Sequence, residues 1–331
     1  MANAAELVEL WRGELLESTH RGHAVIAHTS GDVLGVWGDA ARVIFPRSSA
    51  KMFQALPLVE SGAADAAGLN AAHLALACAS HEGSALHVGM AQDWLAGLGL
   101  GESDLRCGAH MPYDRAERDD LIKSDTSPCQ FHNNCSGKHS GFLTTVQHLR
   151  AGPEYTEIEH PLQLAVREAF ESATGEDSAG WGIDGCSAPN FACTVGALAR
   201  GAAQFAGATD GGSGRMKAMA RLTQAMAANP MLVAGEGRAC TELMAAMGGR
   251  VAIKTGAEAV FVAIIPERQI GIALKIEDGN TRASEAVMTA LLIKLGVLEA
   301  QHPAAQKRLP ARQINWRGKH TGELRLAQSF A

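Results

Sequence analysis

β-prone sequence stands at both ends of this chain, with a long helical stretch between. Near the start, "HAVIAHTSGDVLGVWGD" holds two β-prone runs on either side of Ser30-Gly31-Asp32, the pattern of a hairpin. Near the end, "RVAIKTGAEAVFVAIIPERQIGIALKIEDG" holds three β-rich runs parted by turn residues, and "RASEAVMTALLIKLG" follows as an amphipathic helix. From Lys51 to about Gly248 the pattern is helical, with Ala- and Leu-rich segments broken by Gly and Asn. One of these, "HPLQLAVREAFESATG", starts near a proline and stops at a glycine. Strands placed this way bury their apolar faces most economically in one antiparallel sheet built from both ends. The expected fold is α+β, an αβ sandwich. Residues 1–50 and 249–331 supply its sheet subdomain, 51–248 supply an inserted and mainly helical subdomain, and a ligand cleft is expected between them. "ATDGGSG", Ala208 to Gly214, reads as a surface loop, and the basic tail after Pro303 as an irregular extension with a solvated face.

The chain has 331 residues of which 47% are hydrophobic, ample for a large core. Its 29 basic and 35 acidic residues leave a net charge of −6 with no basic cluster outside the tail, so neither nucleic acid nor membrane is an expected partner. A small polar ligand fits better. The first residues carry Glu6, Glu9 and Glu14 and lack the charged start and apolar run of a signal peptide. The seven scattered cysteines then read as reduced thiols, and the expected compartment is the cytosol.

"PRSSAKMFQALPLVESG" places Ser48 three residues before Lys51 at the start of an apolar helix, which puts hydroxyl and amine on one face. Alone this says little, because 18 serines and 9 lysines predict roughly 0.5 such matches by chance. A solvated lysine on a helix would account for it. Lys254-Thr255-Gly256, ending the strand-like "RVAIKTG", is expected only about 0.04 times by chance. The two motifs in this order resemble the layout of the penicillin-binding and serine β-lactamase enzymes. The chemistry is coherent. A serine hydroxyl is a poor nucleophile until a base takes its proton, and a lysine can be that base only with a neutral amine. Burial or a second nearby cation disfavours a charged amine, so a serine between two lysines is an acyl-transfer site.

Those enzymes carry a middle motif, a serine followed two residues later by asparagine, that is not evident here. "ACASHEGS" instead offers Ser80, His81 and Glu82 after an apolar run, and a helix cap would equally explain Ser80. "HNNCSGKHSG", His132 to Gly141, gathers cysteine, lysine and histidine, and Cys186 in "GIDGCSAPN" could join them. Thiolates suit zinc, yet Cys-x-x-Lys is not a familiar zinc spacing, so a loop of buried thiols explains the run as well. His139 reads equally as a hydrogen-bonded core histidine, and Cys240 in "GEGRACTELM" as a small buried residue on a helix.

Taken together, "RSSAKMFQALPL", "CASHEG", "NNCSGKHSGFL", "GIDGCSAPNFA", "KTGAEAVF" and "GIALKIEDGNTRA" resemble the bacterial asparaginases typified by the rhizobial enzymes, from about Gly22 to Gly296. No "TGGTI"-like motif of the threonine-dependent asparaginases is present. The resemblance implies a serine β-lactamase-like fold, a homodimer, and hydrolysis of L-asparagine to L-aspartate and ammonia. It implies two serine-lysine pairs, Ser48 with Lys51 and Ser80 with Lys254, and a supporting zinc held by Cys135, Lys138 and Cys186. Arg47, Asp184 and Cys240 are implied to line the pocket, and His81, Glu82, Asn134 and His139 are further candidates for holding substrate. "KTGAEAVF" departs from the pattern at Ala259, where a glycine is often seen. Two alternatives stand beside this expectation: another amidase on the same scaffold, a serine glutaminase or a cell-wall peptidase, and a silent amino-acid or metal-binding protein.

Overall fold

The structure, a computed structural model, describes residues 3–330. Its strands are β1 (Ala5–Arg12), β2 (Leu15–His28), β3 (Val33–Trp37), β4 (Val43–Ile44), β5 (Trp181–Ile183), β6 (Pro189–Phe191), β7 (Cys193–Thr194), β8 (Ala252–Gly256), β9 (Val260–Ile265), β10 (Ile270–Ile276), β11 (Ala311–Ile314) and β12 (His320–Leu326). The chain divides into two compact units. One holds the residues up to Ser49, Cys193–Gly207 and the chain from Glu242 onward; the other holds Ala50–Ala192 and Ala208–Thr241.

The first unit is built on an antiparallel sheet in the order β11-β12-β1-β2-β10-β9-β8, with β3 also paired to β2. The fold is thus α+β, with strands from both ends of the chain in one sheet. The hairpin expected around Ser30-Gly31-Asp32 joins β2 to β3, closed by His28 N–H on the Asp32 carbonyl at 2.8 Å, with Gly31 at φ 94°. Every residue of β9 is buried, so both its faces are covered. The Val195–Ala206 and Thr281–Lys294 helices pack on this sheet. At Gly271 in β10 the first of these comes so close that a Cβ would lie 2.1 Å from Ala203 N. That packing groups Cys193–Gly207 with the sheet, although it falls within the span expected to be the helical insert.

The tail corrects its expectation. It is not irregular: β11 and β12 extend the sheet, and β12 pairs with β1 through Val8 opposite Leu326 and Leu10 opposite Leu324. Gly322 and Leu324 turn inward while charged side chains between and beside them face out, which is how an edge region stays soluble.

The second unit is helical, with β5 and β6 forming one short ribbon. The Pro161–Thr174 helix has proline in its first turn and Gly175 in the left-handed conformation at its end, the signals present in its sequence. Asn70 caps the Ala71–Ala77 helix by accepting from Ala72 and His73 N–H. At the unit's centre lies the Ser136–Leu149 helix, buried from Ser136 through Val146. Gly137 makes this possible, since a Cβ there would meet the Leu76 carbonyl oxygen at 2.5 Å. The close contact sets Lys138 and His139 deep in the interior, where burial makes every polar partner matter.

Candidate active site

Ser48 stands in a single 3-10 turn, Arg47–Ala50, and Lys51 opens the helix that continues it. The preceding residue, Arg47, holds φ at 52°, a left-handed conformation that a non-glycine residue adopts only when its surroundings enforce it. Pro46 anchors the turn by accepting from Ser49 N–H at 3.1 Å and from Ser49 Oγ at 2.6 Å. In the same unit the end of β8 comes up against this turn. A Cβ on Gly256 would lie 2.5 Å from Pro46 O, 3.0 Å from Ser49 N and 3.4 Å from Ser48 N. The glycine of Lys254-Thr255-Gly256 therefore has a physical task. Lys254 and Gly256 share one face of the strand, so the lysine leaves β8 on the side of the Ser48 turn. Lys254 is buried, and its Nζ donates to the Thr255 carbonyl at 2.8 Å.

In the second unit Lys51 is 1% exposed, and its Nζ donates to the carbonyls of Ala79 and Asn134. Those carbonyls flank two sequence motifs. Ala79 precedes Ser80, which is itself buried and whose N–H donates to Val233 O at 2.9 Å. The same Asn134 carbonyl accepts from His81 N–H at 3.2 Å. Ser84, not Ser80, occupies the cap position of the helix that follows. His81 has both ring nitrogens occupied. Gly83 N–H donates to Nδ1 at 3.1 Å, so Nε2 carries the proton and donates to Ser136 Oγ at 2.9 Å, and that hydroxyl passes its own to Phe131 O. His81 thereby ties the Ser80 turn to the head of the central helix. Its imidazole is held well below the usual range, first by burial and then by the neighbouring His87, against which it stacks at 4.8 Å. Glu82 rests against Gly235, at φ 116°, where a Cβ would meet Glu82 Oε2 at 2.6 Å. Burial raises the Glu82 carboxyl above the usual carboxylate range against the opposing pull of Arg238.

A sulfur and amine cluster forms in this unit. Cys135 precedes the central helix, fixed by its N–H on Asn133 Oδ1 at 2.9 Å, and Lys138 lies one turn on. Cys186 arrives from the tight turn between β5 and β6, where Ser187 adopts φ 68° and Asp184 N–H donates to Ala188 O. Asp184 itself accepts from Gly185 N–H at 2.7 Å and from Asn190 at 3.3 Å. Lys138 Nζ is 2.9 Å from Cys186 Sγ. The hydrogen bond from the Cys135 thiol, aided by Lys138, holds Cys186 well below the usual thiol range despite burial. The proton stays on Cys135, pushed well above it by that bond and by burial. Burial alone would lower Lys138; the Cys186 thiolate overrides it and raises the amine.

His139 completes the cluster. Tyr155 OH accepts from Arg106 N–H at 2.8 Å and donates to His139 Nδ1 at 2.8 Å, which leaves the ring proton on Nε2. Burial, then the Lys138 cation, pushes His139 down to about 4. Its Nε2–H edge faces the Cys186 sulfur without a hydrogen-bond partner in good geometry. Tyr155 was not legible as a site residue, since nothing in its own sequence neighbourhood marks it. Cys240 is 1% exposed on the Ala239–Ala246 helix. The structure thus gathers Lys51 and His81 on the Asn134 carbonyl, with Lys51 also on the carbonyl that precedes Ser80, and Cys135, Lys138 and His139 about Cys186. Separately, it sets Ser48 against the strand of Lys254.

The chain belongs to the L-asparaginase II family, whose model matches residues 8–326. It is an asparaginase-type enzyme. Among solved structures the chain is similar to a β-lactamase from Mycobacterium bovis, at 13% identity and a TM-score of 0.47, over 82% of this chain and 94% of that one. It is also similar to Mglu, at 15% identity and a TM-score of 0.45, over 84% of this chain and 67% of that one. No curated protein matches the chain. Among the described residues no helix is long and apolar enough to cross a membrane.

Proposed function

We propose that this enzyme hydrolyses the side-chain amide of L-asparagine to L-aspartate and ammonia, with Ser48 as nucleophile and Lys51 as its base. The observation that carries the reading is the setting of Lys51. Its buried Nζ is directed at two carbonyls, and a neutral amine that gives both its hydrogens to such acceptors keeps its lone pair for a third group. In this reading the group that takes it is the Ser48 hydroxyl, three residues upstream in the sequence. Ser48 Oγ attacks the amide carbon as its proton passes to Lys51. The C–N bond then breaks, ammonia leaves with a proton, and water releases aspartate from the acyl-enzyme. Ser80 and Lys254, the second pair the resemblance implies, would relay the proton or assist the attack. Ser49 N–H is already committed to Pro46 O, so the Ser48 N–H is the turn's oxyanion donor.

Cys135, Lys138 and Cys186 would hold zinc in this reading. Two sulfurs and an amine suit a soft metal, and the unpartnered Nε2–H of His139 beside Cys186 is the kind of second partner a metal-bound thiolate takes. Among the described residues no group of three His, Cys, Asp or Glu side chains is placed to bind a metal, so the set depends on Lys138. Cys135 and Lys138 must both give up a proton to bind. Bound zinc would orient the substrate's α-amino or carboxylate end.

The test is ammonia release from L-asparagine and, in parallel, from L-glutamine by wild type and Ser48→Ala. Release from asparagine that is lost in the folded variant supports substrate and nucleophile together. Substantial release by Ser48→Ala would move the nucleophile to Ser80. A preference for glutamine would reassign the substrate, a distinction that one methylene makes only weakly.

A further inference from the structure

We propose that Cys129 is a peroxide-reactive thiol with His132 as its base and Glu117 holding that base, a modification site apart from the asparaginase machinery. All seven cysteines are free; six are buried, and Cys129 alone is partly exposed. Its Sγ lies 3.2 Å from His132 Nδ1. The Cys129 backbone N–H also donates to that nitrogen at 3.0 Å, so Nδ1 carries no hydrogen and its one lone pair is shared between that N–H and the thiol. The ring proton is then on Nε2, which faces Glu117 Oε1 at 3.4 Å. His132 is buried, so the ring cannot turn away freely.

A cap on the short 3-10 turn Gln130–His132 accounts for the contact between Cys129 and His132. It does not account for Glu117, which comes from the separate Arg115–Lys123 helix and fixes the imidazole in the tautomer a base requires. Thiol, imidazole and carboxylate in this order are the arrangement that makes a cysteine nucleophilic. Cys186 is buried, and its sulfur already lies 2.9 Å from Lys138 Nζ.

The reactant is hydrogen peroxide. The Cys129 proton passes to His132 Nδ1, the thiolate attacks one peroxide oxygen, an S–O bond forms and the O–O bond breaks. The departing hydroxide takes the proton back from His132 as water. Sulfur is oxidised by two electrons, peroxide is reduced, and the product is Cys129 sulfenic acid.

The experiment treats the full-length protein with hydrogen peroxide in the presence of dimedone and maps the adducts by peptide mass spectrometry. Cys129 is expected to be labelled before any other cysteine. The rate should fall about tenfold in His132→Gln and several-fold in Glu117→Gln. Glu117 is part-exposed, so Glu117→Gln decides alone if the His132 variant does not fold. Equal labelling rates in wild type and Glu117→Gln, or earlier labelling of a buried cysteine, would overturn the assignment. Unoxidised Cys129→Ser should release ammonia from asparagine at the wild-type rate; loss of turnover there would place Cys129 inside the machinery and overturn its separateness.

Discussion

Gly256 lies directly beneath Pro46, close enough that a single added carbon on the glycine would stand 2.5 Å from the proline carbonyl oxygen. That oxygen anchors the turn bearing Ser48, and backbone on both sides leaves no flexible side chain to yield. Gly256→Ala should push the strand and the turn apart and lower kcat/KM for asparagine by about tenfold or more, since small misplacements of a reacting group are costly. Steady-state kinetics on a variant with an intact circular dichroism spectrum checks this. An unchanged rate would mean that the contact does not position Ser48.

Lys51 offers a sharper substitution. A guanidinium can satisfy the Ala79 and Asn134 carbonyls yet cannot act as a base. Lys51→Arg and Lys51→Met should each reduce kcat by about a thousandfold. Near-normal ammonia release by either would remove the lysine from the proton transfer.

Ala259 explains its own oddity. With Glu258 it forms the turn between β8 and β9, at φ 58° and 55°, conformations that cost an L-residue with a Cβ. Where the resemblance leads to a glycine, this chain carries an alanine and the strain instead. Ala259→Gly should raise stability by about 1 kcal/mol, read as a higher urea midpoint at unchanged slope. A lower midpoint would show that packing of the buried methyl outweighs the relief.

Acid should destabilise the helical unit through its stacked histidines. Burial lowers the pKa of both His81 and His87 in the folded chain. The unfolded chain therefore binds protons first as pH falls below the ordinary histidine range. Their stabilising contribution is complete above that range and is lost as pH falls toward the folded values, at up to about 1.4 kcal/mol per pH unit for each. Urea midpoints between pH 7.5 and 5 should fall, and His81→Gln should flatten the slope even if it lowers the whole curve. An equal slope in the variant would rule out His81 as a source.

With zinc held by Cys135, Lys138 and Cys186 as proposed, removing it should separate binding from turnover. Chelated protein, or Cys186→Ser with its zinc content measured by elemental analysis, should keep its fold and much of its kcat while KM for asparagine rises about tenfold. Loss of all turnover in a folded, metal-free sample would contradict a supporting role.

What the sequence made legible follows the physics of each element. The β2–β3 hairpin announced itself through Ser30-Gly31-Asp32, and the Pro161–Thr174 helix through its proline and glycine, because those residues act locally. β1 was hidden by register shifts between Glu6 and Val8 and between Leu10 and Trp11, which break the two-residue alternation. The charged outward positions hid β12. Serine and lysine were visible as motifs, whereas the carbonyls that hold Lys51 come from Ala79 and Asn134, and any residue can supply a carbonyl. Tyr155 and Glu117 reach their histidines from segments whose approach only the folded chain sets.

Pairing Val8 with Leu326 has a consequence for synthesis. β1 cannot gain that neighbour until β12, more distant in the sequence than any other strand of the sheet, has been translated, whereas the segment from Ala50 to Thr241 supplies most of a compact helical body sooner. β1 and β2 thus spend most of translation as a hairpin with a bare edge, and closing the sheet is a late, long-range step of the kind that slows folding.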